Sequence, residues 1–212
     1  MNIYLLSDNF HKGVINLPQI EVKYRDVDLD FTSYDTLIFS SKNGVKSIAE
    51  KNTDWKNLSS FAIGNPTANE IIKLGGRVEY VAKSSYGNDF AKELIPLLKH
   101  KKVLFIRAKK VLSNLEKILK EANINLSSQI VYETVCRKKT NEKFKSNSIF
   151  IFTSPSTIKC FFKNYEWLDS YKAVCIGDVT AKELPINVSF YISKIQTIDA
   201  CIELAKTLIK QN

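Results

Sequence analysis

Glycine, proline and histidine are scarce in this chain, at 7, 5 and 2 of 212 residues. So few glycines and prolines exclude collagen-like and low-complexity architectures, and any fold built on many glycine turns. The histidines, His11 and His100, stand alone in polar stretches, and two imidazoles do not readily supply a metal triad, so no metal is expected. Four cysteines, Cys136, Cys160, Cys175 and Cys201, lie 24, 15 and 26 positions apart, without the close pair that zinc knuckles and redox motifs use. They are expected to be reduced, packed thiols. No apolar run approaches the roughly 18 residues of a membrane span, so no membrane association is expected. The opening Met1-Asn2-Ile3-Tyr4-Leu5-Leu6-Ser7-Asp8 has no basic stretch and meets Asp8 too early for a secretory signal, which predicts a cytoplasmic protein.

With 44% hydrophobic and 25% charged residues, the chain has the composition of an ordinary globular protein with a real core. Its length allows one large domain or two small ones. A formal charge of +9 suits a polyanionic partner, or reflects lysines spread over solvated faces. No nucleic-acid recognition motif accompanies the basic pairs Lys101-Lys102 and Lys109-Lys110, so nucleic acid is not the expected partner.

An internal repeat settles the architecture. Asp35 to Ile72 aligns without gaps on Ser148 to Pro185 at a constant offset of 113, with nine identities: Ile38, Phe39, Ser41, Lys46, Ile63, Gly64, Thr67, Ala68 and Glu70. Each copy reads as a buried apolar strand, a polar turn, a helix, a second buried strand and a turn into a helix. Such alternation predicts parallel sheets covered on both faces. Strands are predicted at Val78 to Val81 and Val188 to Ile192, and helices at Asp89 to Lys99 and Ala200 to Lys210. The first copy continues with a strand at Val103 to Ile106, a helix at Leu112 to Ala122 and a strand from Gln129. The second copy has no room for these. Asn2 to Leu6 resembles the strand at Val103, and Gln19 to Val22 resembles the segment from Gln129, so the N-terminal strand should complete the C-terminal domain. The predicted organisation is a discontinuous α/β domain (1–18 and 139–212), a second α/β domain (29–128), and two extended connectors (19–28 and 129–138) able to pair as a ladder. The fold class is thus two similar flavodoxin-like parallel-sheet domains with a cleft between them, where ligands and hinge motion are expected.

No P-loop, GxGxxG, GxSxG or HExxH pattern occurs. What remains is a duplicated set of strand-to-helix turns: Ser40-Ser41-Lys42-Asn43-Gly44, Gly64-Asn65-Pro66-Thr67-Ala68, Thr153-Ser154-Pro155-Ser156-Thr157 and Gly177-Asp178-Val179-Thr180-Ala181. Carboxyl ends of parallel strands form ligand crevices, and the helix N-termini there offer free N–H groups that suit anions. Taken singly, each residue also reads as a helix cap, a role for which Asn65, Asp178 and Ser154 are well suited.

These turns, together with Leu37-Ile38-Phe39 before the first and Val131-Tyr132-Glu133-Thr134, resemble the uroporphyrinogen-III synthase family over nearly the whole chain. Two positions depart from the family pattern: Lys42 where proline is common, and Ala108 where glycine often follows the strand. The resemblance implies two α/β domains joined by a two-stranded ladder. It also implies a cofactor-free cyclisation of hydroxymethylbilane, a linear tetrapyrrole, to uroporphyrinogen III, with loss of water and inversion of the last ring. A transient contact with the preceding pathway enzyme would accompany that role. A basic protein with helix N-termini in its cleft matches the many carboxylates of such a substrate.

Tyr132 matches the family's functional tyrosine, and as a phenol that is neutral at pH 7 it is the candidate general acid; the alternative is a ring packed in the ladder. Ser40, Ser41, Gly64, Asn65, Thr67, Ala68, Thr153, Ser154, Pro155, Ser156, Gly177 and Thr180 are the candidate substrate-binding residues. Arg107 either pairs with a substrate carboxylate or sits on the rim. A two-domain module that binds a polyanion and releases it unchanged is the competing reading.

Overall fold

The computed structural model describes residues 1–51, 53–84 and 86–210; the predicted domains also include Asn52, Ser85, Gln211 and Asn212, which lie outside the described residues. In chain order the elements are β1 (Ile3–Leu5), β2 (Ile15–Asn16), β3 (Ile20–Tyr24), β4 (Thr36–Phe39), α1 (Lys42–Ala49), a 3₁₀ turn (Asp54–Asn57), β5 (Ser59–Ala62), α2 (Asn65–Lys73) and β6 (Arg77–Val81). There follow α3 (Gly87–Leu98), β7 (Lys102–Ala108), α4 (Leu115–Glu121), β8 (Asn125–Cys136), β9 (Ile149–Phe152), α5 (Pro155–Asn164), β10 (Lys172–Cys175), α6 (Asp178–Ala181), β11 (Phe190–Ile192) and α7 (Ile198–Lys210). The chain divides into two compact units: Met1–Glu21 with Val135–Asn212, and Val22–Thr134.

In the second unit the sheet order is β3-β8-β7-β4-β5-β6. The five strands from β4 to β8 pair in parallel. Counted along the chain they run 3-2-1-4-5, so the topological switch point lies between β4 and β7. Leu37, Ile38 and Phe39 are fully buried because both faces of β4 are covered. Leu37 and Phe39 join Val45, Ile48, Ala68 and Ile71 beneath α1 and α2. Ile38 joins Phe90, Leu94, Leu115 and Leu119 beneath α3 and α4. At ~25 cal/mol per Å² of apolar surface, burial of such strands on two faces dominates the stability of a layered α/β unit. Gly76 is required sterically, since a Cβ there would stand 2.3 Å from the fully buried ring of Trp55.

The first unit repeats this plan in the order β11-β10-β9-β1-β2, all parallel. The N-terminal strand β1 therefore sits beside β9 as β7 sits beside β4, and it supplies the strand that the C-terminal repeat lacks. The 113-residue offset carries β4 onto β9 and β5 onto β10, end to end. The helix after the second strand differs most: α2 has nine residues and α6 four. Pro185 accounts for this, because proline lacks the N–H a helix needs and biases the residue before it, here Leu184, away from helical dihedrals.

The pairing of β3 with β8 closes the ladder expected from the two connectors. Arg25 N–H donates to Val131 C=O at 2.8 Å and Arg137 N–H to Gln19 C=O at 2.9 Å, so the two segments run antiparallel and Tyr24 lies across from Tyr132.

The cysteines correct one expectation. Cys136, at the end of β8, and Cys160, on α5, form a disulfide with Cα atoms 5.1 Å apart, whereas Cys175 and Cys201 are free and buried. Sequence spacing concealed the pair, because the bridge joins a strand end to a helix that only the folded unit brings alongside. Burial pushes the Cys175 thiol up to about 12, so it is the thiol form that is packed in the core.

The bridge spans 24 positions, a loop whose closure is worth about 3 kcal/mol in the chain-entropy account. Thermal unfolding with and without a strong thiol reductant should show a lower midpoint for the reduced protein, and Cys136→Ser should show the same loss with no further effect of reductant. Equal midpoints would mean that the crosslink does not constrain the unfolded chain.

Candidate active site

The candidate residues fall into two groups, each at the carboxyl edge of its own sheet. In the second unit, Ser41 lies just past the end of β4 and caps α1, its Oγ accepting the Asn43 N–H at 3.2 Å. Gly44, one turn into α1, lets the helix approach β7 closely: a Cβ there would lie 3.3 Å from the Ile106 carbonyl oxygen. The departure at Lys42 is local, since its side chain is exposed at the first helical position. Where β5 ends, Ile63 N–H donates to Phe39 C=O at 3.1 Å, and the N–H groups of Thr67 and Ala68 both donate to Gly64 C=O at 3.0 Å.

The first unit reproduces this wiring. Ile176 N–H donates to Phe152 C=O at 3.0 Å, and Thr180 and Ala181 donate to Gly177 C=O at 3.1 Å. Ser154 caps α5 in a reciprocal box with Thr157, its Oγ accepting the Thr157 N–H at 3.3 Å, with Pro155 and Ser156 opening the helix. Thr153, Ser154, Pro155 and Ser156 are all half-buried.

The capping reading holds for Ser41 and Ser154 and is corrected for Asn65 and Asp178. Gly64 and Gly177 occupy the cap positions of α2 and α6 and carry no side-chain cap, which leaves Asn65 and Asp178 one residue inside, both exposed. The glycine before each of them takes the cap position instead, in extended conformation directly ahead of the first helical turn. Thr67 and Thr180 are buried, at 4% and 3% exposure, in the first turns of these helices.

Tyr132 belongs to the α1/α2 face of the second unit. A register shift in the β7–β8 pairing places Tyr132, rather than Val131, beside Ala108, and Tyr132 belongs to the buried cluster that includes Val45, Ala68 and Ile106. The hydrogen-bonding group that faces its phenol oxygen is the Ser41 hydroxyl. Burial raises the Tyr132 pKa above the usual phenol value, outweighing the opposing effect of Ser41. The structure thus unites two residues 91 positions apart in the chain and keeps the phenol a proton donor at neutral pH.

Arg107 is placed elsewhere. Along β7, Leu104, Ile106 and Ala108 face α1 and α2, whereas Phe105 faces α3 and α4. By strand alternation Arg107 shares the Phe105 face. There its Nε lies 3.2 Å from Glu116 and 3.4 Å from the Ser128 hydroxyl. The sheet separates it from Tyr132. Among the described residues, no three His, Cys, Asp or Glu side chains come together as a metal-ligand group.

Residues 11–203 match the family described as Uroporphyrinogen-III synthase HemD. The chain belongs to the uroporphyrinogen-III synthase family. As a uroporphyrinogen-III synthase it is an enzyme of the cyclising-lyase class. A crystal structure of uroporphyrinogen-III synthetase from Helicobacter pylori is 33% identical, covers 98% of this chain and 99% of its own, and superposes with a TM-score of 0.86. A variant of the Thermus thermophilus uroporphyrinogen III synthase, 13% identical over 100% of this chain and 99% of its own, shares the fold at a TM-score of 0.61. A Methanocaldococcus jannaschii protein named as a candidate uroporphyrinogen-III synthase is 27% identical over 92% of this chain and 88% of its own length.

The buried phenol sets a titration expectation. Because the folded-state pKa of Tyr132 is raised, its proton is held at pH values where an unfolded tyrosine has begun to ionise, and stability falls as pH climbs above about 10. Difference absorbance at 295 nm between the protein and Tyr132→Phe should therefore show no phenolate from Tyr132 up to pH 10. A tyrosinate signal lost in the variant and titrating at pH 9 would contradict this placement.

Proposed function

We propose that this synthase converts hydroxymethylbilane to uroporphyrinogen III, expelling the terminal hydroxyl as water and closing the macrocycle through the inverted last ring. The observation that carries the reading is the Ser41–Tyr132 pair: a buried phenol, kept protonated, beside the serine that caps α1. A neutral acid of this kind can protonate a departing hydroxyl; the phenolate left behind stands beside the carbocation as its counter-charge and takes back the proton that ring closure releases.

Binding in this reading is distributed. The N–H groups opening α2 have no side-chain cap, and Gly64 leaves open space before them, with only Pro66 Cδ within 4 Å of where a Cβ would stand. A substrate carboxylate can approach that backbone directly. Ser40, Thr67, Thr153, Ser156 and Thr180 add hydroxyl donors at the carboxyl edges of the two sheets, and we assign both sets of turns to the acetate and propionate groups. Arg107 is left out of this set because it faces α4. The linear substrate can close spontaneously without inversion, so holding the last ring in the inverted geometry is the main catalytic task.

No described helix is long and apolar enough to cross a membrane, and we place the enzyme in the cytoplasm with its pathway. In that compartment the Cys136–Cys160 bridge would be exposed to thiol reductants.

The deciding experiment adds the protein to freshly made hydroxymethylbilane and separates the type I and type III products by chromatography. Type III is expected; type I alone would refute the proposal. Tyr132→Phe keeps the ring and its packing but removes the proton, and should lower type III formation about 100-fold with an unchanged circular dichroism spectrum. Thr67→Ala and Thr180→Ala should each raise KM only a few-fold, since one neutral hydrogen bond is worth about 0.5–1.5 kcal/mol. Loss of all activity in either folded threonine variant would replace distributed anchoring with a dedicated catalytic hydroxyl.

A further inference from the structure

We propose that the second unit carries a separate binding site, on the sheet face opposite Tyr132, for an amphipathic anion: an aromatic or heteroaromatic body bearing carboxylates. A cavity of about 740 Å³ opens between the end of β7, the 109–114 loop and α4, a size within the range of small-molecule sites. Phe105 and Val111 supply apolar wall, and Leu112, 78% exposed, stands at its edge. Five cationic and two acidic side chains line it, Arg107 and Lys110 among the former and Glu116 and Glu121 the latter.

Arg107 is the residue that makes this cavity more than a basic surface. Its side chain is only 21% exposed and is held in one orientation: Nε faces Glu116 and Ser128, and Nη1 donates to the Ala108 carbonyl at 3.1 Å. The Nη2 donors have no protein partner among the described residues. A planar guanidinium fixed on one side with donors free on the other is suited to a carboxylate. Glu116 does not cancel it, because the carboxylate is shared with Lys120 at 2.7 Å and with the Ser128 hydroxyl at 3.1 Å. Lys117 meets Glu121 only at 3.8 Å, both side chains being exposed, and such surface pairs are weak enough to re-aim toward a ligand. Lys110 has no acidic partner among the described residues.

The loop that walls the cavity is fixed before any ligand arrives. Ser113 occupies the space that a side chain at position 87 would fill, lying 2.4 Å from where a Gly87 Cβ would stand. Asn114 N–H donates to the Asn88 side chain at 2.8 Å. The 109–114 segment is thereby seated on the start of α3, and a preformed pocket binds without the cost of ordering its wall.

This inference does not rest on the proposed reaction, and its test uses no substrate. Naphthalene-2,6-dicarboxylate is titrated into the full chain by calorimetry, with naphthalene-2,6-dimethanol as the uncharged control. One-to-one binding of the dicarboxylate is expected, with the diol at least tenfold weaker. Arg107→Lys, which keeps the charge but loses the planar fork, and the pair Lys110→Glu with Leu112→Ser should each weaken binding tenfold or more. Tyr132→Phe should bind as the unaltered protein does. Equal affinity in the loop double variant, binding lost in Tyr132→Phe, or no binding of the dicarboxylate at millimolar concentration would each overturn the assignment, while type III formation measured separately reports on the reaction alone.

Discussion

Complete burial of the strands next to the switch points is the constraint on which the rest of the molecule depends. Leu37, Ile38 and Phe39 on β4, and Phe150, Ile151 and Phe152 on β9, have no contact with solvent, so neither strand can carry a working polar group along its length. Polar chemistry is confined to where these strands end. Ser40-Ser41 and Thr153-Ser154 are the first residues free of that constraint, and the following helices begin there because their unpaired N–H groups need a serine oxygen. One packing requirement thus produces both the core and the polar edge.

Duplication makes that edge a pair of equivalent surfaces, and departures from the repeat show what each copy does differently. Lys159 pairs with Glu183 at 3.1 Å in the first unit, whereas the equivalent Lys46 and Glu70 border a cavity with Tyr24 and Glu50. Tyr132 also has one copy only. It comes from β8, a strand of 12 residues whose first part completes a parallel sheet and whose second part runs antiparallel with β3. A register shift at Arg107/Ala108 re-aims the strand between these tasks.

The same strand ends in the disulfide. Cys136 lies four residues beyond Tyr132 and is bonded to the helix that Ser154 caps. Lys109 and Glu133, paired at 3.0 Å, brace the strand on its exposed side. Strand β8, which carries Tyr132, thus has main-chain pairing, an ion pair and a covalent bond over a short stretch.

Much of this was legible in the sequence. The offset of 113 fixes two copies of one strand–turn–helix unit by pattern alone, because buried parallel strands demand short apolar runs and turns demand small polar residues at set positions. The incomplete second copy required the N-terminal strand to serve it, and β1 beside β9 is the outcome. Three matters were decided only by tertiary structure. Which face of β7 Arg107 occupies depends on strand alternation relative to helices packed from elsewhere in the chain, and α4 claims it. The pairing of Cys136 with Cys160 depends on the approach of a strand end and a helix, a distance no spacing encodes. The meeting of Ser41 with Tyr132 depends on a one-residue register shift in β8. Local pattern determines which segments are strands and helices because those choices minimise exposed apolar surface residue by residue; which side chains meet is set by register and packing, which are properties of the assembled sheet.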